Sequence, residues 1–154
     1  MPRFSIFHLL LFALLAAHPV LGFSYCTDNR HPSVDEEILN SEAVVIGEVV
    51  KETPLLEDTS DPEGLTATTY QVHVLKGLRG HATDSIEIRS ENTSSRFPME
   101  LSKRYVLFLQ RDGQSYFIDN CGNSGLLSKS KKVMKAISNQ ANLSFKRDAL
   151  KRAP

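Results

Sequence analysis

From Ala43 to Val50 the chain is apolar apart from Glu48, largely β-branched, and interrupted by a single glycine, Gly47. A run of this length and composition predicts a strand, and the interior glycine predicts a bulge or sharp bend within it. A different pattern holds from Thr68 to Leu75. Tyr70, Val72 and Val74 alternate with Thr69, Gln71 and His73, the period of a strand with one buried face. Lys76-Gly77 is expected to end it. Asp84 to Arg89 repeats the alternation, with Ile86 and Ile88 inward and Asp84, Glu87 and Arg89 outward. Arg104 to Leu109 and Ser115 to Asp119 flank Asp112-Gly113, a strong hairpin signal. Glu52 to Leu65, with Pro54, Pro62 and Gly64, and Ser90 to Leu101, with Pro98, read as loops.

Ahead of these strands, Ser33 followed three residues later by Glu36 has the form of a capping box. Val34, Ile38 and Leu39 then predict an apolar stripe on a short helix ending near Asn40. Behind the strands, Val133, Met134 and Ile137 recur at helical spacing between Lys129 and Ser138 and predict a docked helix, and beyond Asn139 the tail turns polar, a pattern compatible with disorder. Five strands with no alternating helices predict a mainly β domain. Its sheet is expected to close as an antiparallel barrel, because closure removes exposed strand edges.

The first 22 residues change the setting. Arg3 precedes an apolar run from Ile6 to Ala17, and Val20-Leu21-Gly22 has the small or medium residues of a cleavage site. The run is shorter than the ~20 residues of a membrane span and fits a signal peptide. Residues 1–22 are therefore expected to be removed before Phe23, giving a secreted or periplasmic product with no membrane span; an uncleaved anchor is the alternative. Both cysteines, Cys26 and Cys121, lie in the exported part. In an oxidising compartment a Cys26–Cys121 disulfide is the expected state, against two free thiols.

The net charge is zero, but it is unevenly placed. Phe23 to Leu127 carries 9 basic and 17 acidic residues, whereas Ser128 to Pro154 carries 8 basic residues and Asp148 alone. Such a tail either engages an anionic surface or folds against its own acidic body. It holds a single aromatic residue, Phe145, a weak pattern for nucleic acid, and none is expected as a partner. Hydrolase and phosphate-loop motifs are missing from the sequence. The exported histidines, His31, His73 and His81, are spread over a turn, a strand and a second turn. The reading is accordingly of a non-enzymatic, monomeric protein without metal or cofactor. Asn92-Thr93-Ser94 and Asn142-Leu143-Ser144 are N-glycosylation sequons, so Asn92 and Asn142 are candidate sites in a eukaryotic host.

Taken in order, a cysteine, His31-Pro32, a short helix and then Asn40-Ser41-Glu42-Ala43-Val44-Val45-Ile46-Gly47 resemble the start of the tissue inhibitors of metalloproteinases and the related netrin-type modules. Tyr70 to Gly77 is similar to the second strand of that family, and Tyr116 to Cys121 to its late strand ending in a cysteine, with Gly122 to Leu127 following in like manner. The resemblance covers residues 23–128, with a basic helix and tail at 129–154. It implies an OB-type five-stranded closed barrel with a short N-terminal helix and a C-terminal helix, and it matches Cys26–Cys121 to one of the family's bridges.

In the inhibitory members the amino group and carbonyl of an N-terminal cysteine chelate the protease zinc, and the next side chain enters the specificity pocket. Here Ser24 stands at that cysteine's place, Phe23 acylates its nitrogen, and Tyr25 occupies the pocket position. The family's partner cysteine is missing from Ser90 to Leu101 as well. The expectation is therefore an exported protein-binding module that does not chelate zinc. Its partner-binding ridge would comprise Phe23, Ser24, Tyr25, His31 and Pro32 together with Leu55, Leu56, Glu57 and Asp58. The alternatives are an inhibitor of an extracellular zinc endopeptidase acting through that ridge, and an envelope or surface-tethered structural component.

Overall fold

A computed structural model describes Cys26 and residues 31–113 and 115–152, the last nine of these as helix backbone only. Residues 1–22, expected to be a signal peptide, and Phe23, Ser24 and Tyr25 lie outside the described residues. The elements in order are α1 (Val34–Asn40), β1 (Ala43–Leu55), β2 (Ala67–Arg79), β3 (Ser85–Glu91), β4 (Arg104–Asp112), β5 (Ser115–Phe117), β6 (Gly125–Leu126), a 3-10 turn (Leu127–Lys129) and α2 (Lys131–Arg152). Among the described residues the protein is mainly β, with two helices. Its single six-stranded sheet runs β1-β2-β3-β5-β4-β6, and β4 also pairs with β1.

The first half of β1 and the apolar stretch of β4 are buried on both faces. Ala43, Val45 and Val49 of β1 and Tyr105, Leu107 and Leu109 of β4 join Tyr70, Val72, Ile86 and Ile88 in the inner core. Val44, Val106 and Phe108 point the other way, into a second core with Ile38 of α1 and Ile137 of α2. A strand covered on both sides must be apolar at nearly every position, whereas one covered on a single side alternates. That is why residues 43–49 and 105–109 are apolar at nearly every position and β2 alternates. Gly47 sits where the β1–β2 register shifts. A Cβ there would lie 2.3 Å from a Val72 methyl, so the close approach of the two strands excludes a side chain.

Several expectations need correction. The first loop is shorter than Glu52 to Leu65, because β1 continues to Leu55. Pro54 is tolerated because β4 pairs only with residues 43–48 of β1 and leaves an open edge beyond. The second strand does not stop at Lys76-Gly77 but pairs on to Arg79. The chain turns at Gly80, whose φ is +69° and whose missing Cβ would lie 2.2 Å from the Glu42 carbonyl oxygen. The loop expected from Ser90 begins after Glu91, and the third strand starts at Ser85. The fourth strand extends to Asp112, and the fifth stops at Phe117 instead of Asp119.

A sixth strand of two residues, β6, joins β4, so the count is six rather than five. The sheet is also not wholly antiparallel, since β3 and β5 meet in parallel at Ile88 and Tyr116. The terminal helix runs well past Asn139, to Arg152. Once its first turns are packed, each further residue adds a hydrogen bond at little ordering cost, and Ala141, Leu143, Ala149 and Leu150 are good helix formers.

Leu39 does not belong to the buried stripe of α1. It is 68% exposed, while Glu37 is 3% exposed. Ser33 provides its half of the expected capping box, accepting from the Glu36 N–H at 3.2 Å. At the far end of the helix, the Arg79 guanidinium donates to the Ile38 and Ser41 carbonyls, satisfying groups that the helix leaves unpaired.

Candidate binding face

The Cys26–Cys121 disulfide forms, with Cα atoms 5.7 Å apart and a sequence separation of 95. Around it the N-terminal segment is pinned to residues 119–123. His31 Nδ1 lies 3.0 Å from the Cys121 carbonyl oxygen. Asn123 Nδ2 donates to the Pro32 carbonyl at 2.9 Å and to Glu37 Oε2 at 2.6 Å, and the Asn123 N–H donates to that same oxygen at 2.6 Å. Asp119 Oδ1 accepts the Cys121 N–H at 2.8 Å. Asp119 therefore shapes the turn that presents the disulfide.

Glu37 is the unusual member of this cluster. Burial raises its carboxyl pKa above the usual 4.5, the Asn123 hydrogen bonds oppose that shift, and Asp119 adds to it. Its Oε1 has no hydrogen-bond partner and lies where a Gly122 Cβ would otherwise be, 2.1 Å away. The sequence places an acid in the first helical turn, where acids are ordinary, and carries no local sign of its burial.

A cleft of about 430 Å³ adjoins this cluster at Asp119. One wall is Arg89, Ser90 and Glu91 of β3 with Thr93, Ser95, Arg96 and Phe97 of the following loop; the other is formed by residues of β4 and β5 and by Ile118, Asp119 and Asn120. Ser90 fixes the loop, its hydroxyl accepting the Phe97 N–H at 3.2 Å, and Phe97 packs edge-on to Tyr105. The opposite wall is braced by Arg111. Its guanidinium grips Glu42 at 2.7 and 2.8 Å, donates to the Tyr116 hydroxyl at 2.7 Å and lies 4.5 Å from the centre of the Tyr116 ring. The contact with Arg111 holds the Glu42 carboxyl below its ordinary pKa.

None of the described ridge residues lines this cleft; Glu57 and the N-terminal segment are linked to it through residues that do. Glu57 closes a two-pronged ion pair with Arg89 at 2.7 and 3.1 Å, and Arg89 also binds Glu91. Arg89 lowers the Glu57 pKa. Leu55 is half-buried and Leu56 exposed at the tip of the β1–β2 hairpin. Asp58 turns inward on its own loop to accept from Ser60, which lowers its pKa. His31, exposed, and Pro32, half-buried, are tied through Cys121 and Asn123 to the far wall, where Asn120 lines the cleft. Asn92 is exposed at the loop; its Nδ2 donates to the Leu65 carbonyl at 2.8 Å and its Oδ1 accepts from Arg96 at 3.0 Å. Asn142 is exposed on α2.

No protein-family model matches the chain, and a search of curated proteins finds no match either. Among the described residues, no helix is long and apolar enough to cross a membrane. Sequence reading missed the cleft itself. Its walls come from residues 89–97 and 110–120, two segments that no local pattern connects.

Proposed function

We propose that the exported chain is a non-enzymatic protein-binding module related to the tissue inhibitors of metalloproteinases and netrin-type modules, with an OB-type barrel as its scaffold. In support of that scaffold, the pairings run β1-β2-β3-β5-β4 and return to β1. The observation that carries the binding face is convergence on the cleft. The acidic hairpin reaches one wall through Glu57 and Arg89, and the N-terminal segment reaches the other through Cys26 and Cys121. The partner would be a protein, contacted by the ridge and the cleft together, with no zinc chelated.

The test pairs two measurements on the exported protein. Titration against a panel of zinc endopeptidases should give no stoichiometric inhibition. Inhibition that weakens in Tyr25→Ala would instead establish the alternative, a protease inhibitor using the ridge. A partner identified by cross-linking should be lost when residues 55–63 are deleted, and one that stays bound to the deleted form would remove this face from the proposal.

A second reading rests on a different surface. Lys129, Lys131, Lys132 and Lys135 are all exposed at the start of α2, none forms an ion pair among the described residues, and the first turn holds no acid. Basic side chains at the positive end of a helix are unfavourable to folding, which favours a surface-tethering role. Binding to anionic vesicles that survives truncation at Ser128 would rule that role out.

A further inference from the structure

The cleft is an unzipped strand seam. On its β2 side, β3 is fully paired from Ser85 to Glu91 without a register shift. On its β5 side the only registered pair among the described residues is Ile88 with Tyr116. Backbone direction settles what the open part offers. The Val74 N–H donates to the Asp84 carbonyl at 2.8 Å and the Asn92 N–H to the Thr66 carbonyl at 2.9 Å. Because backbone groups alternate along an antiparallel ladder, the even-numbered residues of β3 turn theirs to β2, and Arg89 and Glu91 turn theirs to the seam.

A parallel pair centred on Ile88 uses the Glu87 carbonyl and the Arg89 N–H. The Arg89 carbonyl and the Glu91 N–H therefore come next along the open edge. The residue in phase to meet them is Ile118, but β5 ends at Phe117. Phe97 and Ile118 give the gap apolar surface, and its charged lining is weighted to acid: Glu91, Asp112 and Asp119 against Arg89 and Arg96. Arg89 and Glu91 offset one another through their ion pair, which leaves Asp112 and Asp119 against Arg96.

We infer that this seam accepts one extended strand of the partner protein, which pairs with the β3 edge beyond Ile88, sets an apolar side chain against Phe97 and Ile118, and presents basic side chains to the acidic lining. Strand addition of this kind takes its affinity from main-chain hydrogen bonds and its selectivity from alternate side chains. The inference rests on the cleft being the binding face and specifies how that face is used.

The probe is a short peptide of alternating valine and lysine, titrated into the 15N-labelled exported protein. Amide shifts should concentrate at Ser90, Glu91, Asn92, Phe117 and Ile118. Methylating the peptide's alternate backbone nitrogens should weaken binding about tenfold, the scale of one or two lost hydrogen bonds, and replacing its lysines by glutamate should abolish it. Glu91→Pro removes the seam donor while the β2 ladder, carried by the even-numbered residues, is kept, and Glu91→Gln removes the carboxylate but keeps the donor; the proline variant should weaken the peptide about tenfold more than the glutamine variant does. Undiminished binding of the methylated peptide, shifts located elsewhere, or no binding of the parent peptide at millimolar concentration would each overturn strand addition. A cross-linked partner that still requires residues 55–63 but ignores Glu91→Pro would retain the binding face and discard only the strand.

Discussion

β4 and the β3–β5 seam belong to the same sheet and are built in opposite ways. β4 is paired with β1 on one edge and with β5 and β6 on the other, and Val106, Leu107, Phe108 and Leu109 are fully buried. At the seam, two strands meet at one residue pair and then part. Phe117 at the seam is only half-buried, nine residues from a phenylalanine with no exposure at all. Under the proposal above, stability and binding fall to different strand edges. Where both faces are covered, packing leaves no freedom; where a strand ends early, backbone groups and a cleft are left for another chain.

The largest expected contrast comes from matched truncations. Phe108→Ala should cost about 4 kcal/mol, as a large buried ring replaced by a cavity does, whereas Phe117→Ala should cost about 1 kcal/mol. Urea unfolding of both variants checks this, and equal losses would erase the distinction between the two regions. Next is the disulfide, which fastens the N-terminal segment beside the seam. Replacing both Cys26 and Cys121 by serine should cost about 3–4 kcal/mol, given the long loop that it closes, and the effect should appear in the same unfolding curves under non-reducing conditions. Gly47→Ala is smaller. Its added methyl meets Val72 across the β1–β2 pairing, and overpacking of this kind should cost about 2 kcal/mol. A loss no greater than that of a surface substitution would show that β1 can shift there.

The smallest effect concerns pH. The Glu37 pKa is raised in the folded state, so the folded protein holds a proton that the unfolded chain gives up. Stability from this group is therefore full below the ordinary 4.5 and falls as pH rises from there through the folded pKa. Glu37→Gln should flatten that part of the stability–pH curve. Melting temperatures from pH 4 to pH 8 read it directly, and a decline unchanged in the variant would place the titrating group elsewhere. Glu42 and Glu57 work in the opposite sense. Their pKa values are lowered by Arg111 and Arg89, so what they add is present at neutral pH and is lost as pH falls through their folded values.

The sequence by itself determined the elements whose signals are local. α1 starts at Ser33 because a hydroxyl before an apolar stripe is a cap wherever it occurs. β2 and β3 alternate because one face is wet, and the first half of β1 and the apolar stretch of β4 do not because neither face is. The two cysteines allowed a single bridge. Tertiary structure decided the rest. Burial of Glu37 in place of Leu39 follows from where Gly122 and Asn123 meet α1, far along the chain. β6 is two residues long and carries no periodicity. The parallel contact of β3 with β5, and the cleft beside it, join segments whose adjacency depends on how the whole sheet is paired. Hydrophobic patterning fixes which face of an element is buried, but not which element buries it, and the binding face proposed here is made entirely of that second kind of information.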